Sequence, residues 1–218
     1  MSMKNPPPKS ILIIQTAFLG DVILATALIE KLHTYFPESS IDFLLRKGNE
    51  EVLAHHPKLR KVLIWNKQQS KFKNLLQLLF AIRKEKYDLV INIQRFASTG
   101  FLAGFSGGKS IIGFDKNPWS FLFTRKIPHT FEGHEVSRNL KLVEDFTSTG
   151  FVRPALYPSV KDQERVVSYR KHAYCCIAPA SVWFTKQFPK EKWVDMINHL
   201  STPKQIFLLG SKSDIPLC

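Results

Sequence analysis

The chain has 218 residues, enough for one large domain or for one domain and part of another. Its 31 Lys and Arg against 18 Asp and Glu give a formal charge of +13, which favours phosphate-bearing partners, and its 44% hydrophobic content suits a globular fold rather than a solvated polyelectrolyte. The adjacent Cys175 and Cys176 and the distant Cys218 form neither metal-ligand spacing nor a disulfide framework, so a reducing cytosol is expected; nothing before Ile11 resembles a secretory signal, and no apolar run reaches the roughly 18 residues of a membrane span.

In chain order, an apolar run at 11–14 predicts a strand, followed by the loop Ala17-Phe18-Leu19-Gly20-Asp21 and an amphipathic helix over 22–35. Gly20 permits a sharp turn and close approach of a ligand to the backbone. Asp21 at the helix start reads in two ways. It is an N-cap, or it is a carboxylate facing the crevice where open α/β sheets place their chemistry. Further strands are predicted at 41–45, 62–65, 89–93 and 111–114. A helix over 71–86 turns Phe72, Leu75, Leu76, Leu79 and Ile82 inward, and one over 134–146 turns Val136, Leu140, Val143 and Phe146 inward. The alternation predicts an α/β fold with a mostly parallel sheet.

Residues 150–158, with Pro154 and Pro158, read as a linker. The expected division is a first domain over 1–155 and a second part over 156–218. That second part begins another alternation: a strand at 175–178, a polar loop, a helix over 190–200 and a strand at 205–209. Two strands and a helix cannot bury both faces of a sheet, so the chain is expected to end inside its second domain. In the polar loop, Ser181 and Thr185 offer hydroxyls, Lys186 offers a cation, and the next helix offers free N–H groups, a set that suits a diphosphate. The other reading is a capped loop with Trp183 and Phe188 as core anchors.

Other motifs carry less. Gly107-Gly108-Lys109-Ser110 lacks the earlier glycine of a phosphate-binding loop and precedes a strand, so a turn is expected. His134-Glu135 has no second histidine at metalloprotease spacing and reads as a helix start. His55 and His56 read as caps at a helix end. Lys58, Arg60, Lys61, Lys67, Lys71 and Lys73, interleaved with Trp65 and Phe72, form a basic run without a nucleic-acid motif; a solvated face or an anionic surface is the expectation.

Four segments together, ILIIQTAFLGDVILATALIEKL, HEVSRNLKLVEDF, IAPASVWFTKQFPKEKWVDMI and IFLLGSKSD, make the chain resemble the heptosyltransferases of lipopolysaccharide core assembly, glycosyltransferase family 9. The resemblance implies a GT-B fold of two Rossmann-like domains, with acceptor held by the first and nucleotide sugar by the second. It implies inverting transfer of heptose from ADP-heptose to a lipopolysaccharide inner-core acceptor, with no metal and no cofactor. Asp21 would be the base, and Ser181, Thr185 and Lys186 the diphosphate binders, with Gly20 in the acceptor-side loop. The positive end of a helix favours the carboxylate form of Asp21, and Lys186 would stabilise charge building on the departing diphosphate.

A cytoplasmic protein with peripheral contact at the inner membrane is implied, with no nucleic-acid partner. The sequence departs from the family pattern at Ala180, where a glycine is common, and the family's later second-domain loops lie beyond Cys218. Two other readings fit the same residues: a non-catalytic acceptor-binding or interaction module, and a basic nucleic-acid-binding domain.

Overall fold

The computed structural model describes residues 6–68, 70–181, 183–200 and 205–215, and leaves the side chains of Lys71 and Ser213 undescribed. Cys218 lies outside the described residues. Two compact units divide the chain, Met1–Pro158 and Ser159–Cys218.

The first unit contains β1 (Ser10–Ile14), α1 (Leu19–Tyr35), β2 (Ser40–Arg46), β3 (Lys61–Trp65), α2 (Lys71–Glu85), β4 (Leu89–Asn92), α3 (Ala97–Gly104), β5 (Ser110–Phe114), β6 (Arg125–Ile127) and α4 (Glu135–Lys141). The strands form one sheet in the order β3-β2-β1-β4-β5-β6, parallel throughout, with Ile11 opposite Ile41 on one side and Leu89 on the other. A parallel sheet needs helices on both faces, and its central strands are therefore apolar in succession.

Alternate residues serve the two layers. Ile11 and Ile13 pack with Val22, Leu28 and Leu32 of α1 and with Val136 and Leu140 of α4. Leu12 and Ile14 face the opposite layer, with Leu75, Leu79 and Ile82 of α2 and Leu102 of α3. Strand order reverses between β1 and β4, so the loops leaving those two strands diverge and open a crevice at their carboxyl ends.

Several sequence expectations need correction. In α2 the buried residues are Leu75, Leu78, Leu79 and Ile82, whereas Phe72 and Leu76 face outward. The helix is apolar on more than one side, and the layer selects the 75/78/79/82 stripe. The helix expected over 134–146 stops at Lys141, with a separate 3₁₀ turn at Glu144–Phe146.

Segment 150–158 is packed against α1 rather than loose. Lys31 Nζ donates to the carbonyls of Ser148 and Gly150, Thr26 Oγ1 accepts from Ala155 N at 3.0 Å, and Tyr157 donates to Glu30 at 2.9 Å. His56 is no cap; it is buried beside Glu30 and packs edge-on against Tyr157. The 107–110 segment is the expected turn, with Gly107 at φ 74 leading into β5. His134 caps α4 by accepting from Val136 N at 3.2 Å.

The second unit contains α5 (Val160–Val167), β7 (Tyr174–Ile177), α6 (Lys190–Asn198) and β8 (Gln205–Leu208), with β7 and β8 paired in parallel. Among its described residues, Ile177 is the one hydrophobic side chain in the buried core.

Candidate functional site

The loop from β1 to α1 is held from three directions. Lys67 Nζ donates to the carbonyl and the hydroxyl of Thr16, both at 2.9 Å, and Thr16 Oγ1 donates to Gln94 Oε1 at 2.8 Å. Asn49 Nδ2 donates to the Ala17 carbonyl at 3.0 Å. These bonds tie the loop to the segments after β2 and β3 on one side and, across the switch point, to the loop after β4 on the other. Gln94 and Phe96 are fixed in turn by Asn117 Nδ2, which donates to both carbonyls at 3.0 Å.

Helix α1 begins at Leu19, so Gly20 lies in its first turn without a positive φ, and a Cβ there would meet nothing within 4 Å. The sharp-turn role expected for Gly20 is not what the backbone uses; the residue leaves open space over the helix start. Asp21 is the third helical residue, and its Oδ2 accepts from Phe18 N at 3.0 Å. Phe18 has no side-chain oxygen to return the bond, so only half of a capping box forms. The carboxylate remains partly exposed, its second oxygen unclaimed by that bond.

Asp21 lines a cavity of about 500 Å³ together with Phe18, Arg95, Lys116, His129 and Arg138. Arg95 leaves the end of β4 and Lys116 the end of β5. Arg138 comes from α4 and is held by Glu135 and by the Gly133 carbonyl at 2.6 Å. Arg95 stacks over the Phe131 ring, 5.2 Å from its centroid. The His129 imidazole is held below its usual range, first by burial and then by the Arg95 and Arg138 charges, so it sits neutral among cations. Glu135 also lines this cavity but is paired with Arg138; Asp21 at its helix start, faced by Arg95, Lys116 and aromatic edges, can accept a proton from a hydroxyl while the cations hold an anionic ligand. Sequence reading found Asp21 but missed Arg95, Lys116, His129 and Arg138. Arg95 had a usable signal, since it lies two residues past the expected strand end at Ile93.

In the second unit, Ser181, Thr185 and Lys186 occupy the single loop from β7 to α6, with Thr185 and Lys186 in a 3₁₀ turn, Phe184–Lys186. Ser181 Oγ accepts from Trp183 N at 3.2 Å, and the Ser181 carbonyl accepts from Gln187 Nε2 at 2.8 Å, closing the loop on itself. Thr185 and Lys186 are exposed, and Pro189 precedes the first turn of α6. Trp183 and Phe188 are exposed rather than core anchors, although Phe188 meets Trp193 edge-on at 5.1 Å. Among the described residues, no three His, Cys, Asp or Glu side chains cluster as a metal site would require.

The family model for glycosyltransferase family 9 (heptosyltransferase) matches residues 75–215. The chain belongs to glycosyltransferase family 9. That match includes the 181–186 loop, whereas Asp21 precedes it. The lipopolysaccharide heptosyltransferase 3 of Escherichia coli K12 is 26% identical over 196 residues, which are 83% of this chain and 57% of that protein. The family 9 glycosyltransferase of Veillonella parvula has the same fold at a TM-score of 0.79, with 20% identity, over 96% of this chain and 64% of that one. The E. coli heptosyltransferase WaaC with ADP-2-deoxy-2-fluoro heptose superposes at 0.72, with 19% identity, over 95% of this chain and 71% of that one. The fold is therefore the α/β GT-B type of these glycosyltransferases. The chain spans 57% of the curated E. coli relative.

Proposed function

We propose that this family 9 chain takes part in inverting transfer of heptose from ADP-heptose to the lipopolysaccharide inner core, the first unit holding the acceptor and the second the donor. The observation that carries the reading is the Asp21 carboxylate at the mouth of a cationic crevice at the switch point. An inner-core acceptor is rich in carboxylates and phosphates, which Arg95, Lys116 and Arg138 suit. Asp21 takes the proton of the acceptor hydroxyl as that oxygen bonds to the anomeric carbon. The bond from that carbon to the diphosphate oxygen breaks, and ADP leaves with the electron pair. Attack opposite the leaving group inverts the anomeric centre.

Ser181, Thr185, Lys186 and the first N–H groups of α6 bind the diphosphate, and Lys186 balances the charge that develops there, so the step needs no metal in this reading. The relative solved with an ADP-heptose analogue supports this donor class. No helix among the described residues is long and apolar enough to cross a membrane. The chain works at the cytoplasmic side, where ADP-heptose and the growing core meet, in peripheral contact with the inner membrane.

The reading is tested by incubating the protein with ADP-heptose and a deacylated core acceptor. The expected result is ADP release coupled to a product of inverted anomeric configuration. Lys186→Ala is expected to weaken ADP binding about tenfold in calorimetry, the value of one charge-assisted phosphate contact. Unchanged ADP affinity would remove Lys186 from the donor site. Acceptor binding without any transfer would instead assign a non-catalytic acceptor-binding module.

A further inference from the structure

The first part of the basic run, residues 58–67, is not a free cationic surface. Lys58 is paired with Glu30, Arg60 with Asp42 and Glu85, and Lys61 with Glu85, while Lys67 is spent on Thr16 and Trp65 is buried. The unpartnered surface lies on the outside of α2. Phe72, Leu76 and Phe80 are 77%, 47% and 68% exposed. Spaced four apart, they form a second stripe about 110° round the helix from its core-facing residues, at about 100° per residue. The same helix carries Lys71, Lys73, Arg83 and Lys84 against Glu85 alone, and Glu85 is already paired with Arg60 and Lys61.

Arg83 joins this stripe to a second apolar feature. Its guanidinium donates to the Phe105 carbonyl at 2.8 Å. The Phe105 ring packs edge-on with Trp119 at 5.4 Å, and Trp119 meets the exposed Phe121 at 5.9 Å.

We propose that the outer face of α2, with the Phe105–Trp119–Phe121 cluster beside it, is the surface by which this protein lies on an anionic lipid bilayer. Three features favour that occupant. The rings beside the stripe, exposed Phe105 and Phe121, pack on a half-buried tryptophan, Trp119, the residue type that settles at the headgroup boundary. Among the described residues of α2, Lys73, Arg83 and Lys84 accompany the apolar stripe and Glu85, its one carboxylate, is already paired, which complements anionic headgroups. A contiguous apolar patch of this kind in water is itself a sign of a docking surface. The inference rests on the peripheral location proposed above and names the surface responsible for it.

The test is co-sedimentation of the full chain with phosphatidylcholine vesicles containing about one-third phosphatidylglycerol, against pure phosphatidylcholine. Binding is expected to the anionic vesicles alone and to weaken as salt rises. Phe72→Ser with Phe80→Ser is expected to lower partitioning about tenfold or more. Lys73→Gln with Lys84→Gln, which removes no packing, is expected to lower it several-fold and to keep the test independent of folding. Wild-type binding that both double variants retain would overturn this surface while leaving the peripheral location standing. Absence of wild-type binding would overturn both. Concentration-dependent dimerisation abolished by the Phe72/Phe80 variant would overturn the proposal by giving the face to a second copy of the chain.

Discussion

A carboxylate with no exposed surface, Asp42 of β2, is met by donors on both of its oxygens. Arg60 approaches bidentately, with Nε on Oδ1 at 2.9 Å and Nη2 on Oδ2, and the Tyr87 hydroxyl donates to the same Oδ2. Removing the carboxylate strands a buried phenol and one side of a guanidinium. Asp42→Ala is therefore expected to cost about 3 kcal/mol of unfolding free energy, within the range for breaking a buried pair. Denaturant titration reads this directly, and a loss below about 1 kcal/mol would show that water replaces the missing acceptor. Nothing in the sequence marked Asp42, because Arg60 and Tyr87 lie in other segments. Asp21 was legible, since strand, loop and helix start are neighbours in sequence. Its N-cap reading is corrected, because Phe18 holds the cap position and Asp21 is the third helical residue, whose carboxylate accepts the Phe18 N–H and also lines the crevice.

Elements were legible where one face is buried continuously, as in β1, β2, β4 and α2. Helix α3 was hidden because Ala97–Gly104 contains two glycines, poor helix formers. Packing explains them: a Cβ on Gly100 would lie 1.8 Å from Asn117 Oδ1, and one on Gly104 2.8 Å from Leu122 Cδ1. Gly100→Ala must push Asn117 off the carbonyls of Gln94 and Phe96, so it is expected to cost about 2 kcal/mol, as overpacking does, and to disorder the Arg95 loop. Hydrogen exchange over residues 94–96 reports the second effect, and unchanged protection would contradict it. Strand β6 escaped notice because Arg125–Ile127 is a short, charged edge.

The 150–158 segment read as a linker on its prolines, yet its polar groups find partners on α1. There His56 packs against Tyr157 and faces Glu30, Lys58 and His33. Burial pulls the His56 imidazole below its ordinary 6.5, with Lys58 and His33 lowering it and Glu30 opposing. A depressed pKa contributes stability that is complete above 6.5 and is lost as the pH falls below it. The melting temperature is expected to fall between about pH 7 and about pH 5, and His56→Gln to flatten that slope. An equally steep slope in the variant would place the titration elsewhere.

At the scale of the whole molecule, alternation of apolar runs and helices made the α/β class readable, but not the order β3-β2-β1-β4-β5-β6. Strand order depends on pairings between distant segments, and the order is what creates the switch point and brings Arg95, Lys116 and Arg138 to Asp21. The cationic crevice was therefore invisible in sequence although each of its residues was in plain view. The excess positive charge favours a phosphate-bearing partner, and part of it is gathered at this crevice.

The central claim is that Asp21 removes the acceptor's proton. The direct measurement is the turnover of heptose transfer from ADP-heptose by Asp21→Asn beside the unaltered protein, with ADP affinity measured on both. The substitution keeps the shape and hydrogen-bonding reach of the side chain but removes its basicity. A loss of about 10²- to 10⁴-fold in kcat with ADP affinity unchanged is the expected result. Turnover within a few-fold of the unaltered protein would contradict it and leave Asp21 as a helix cap.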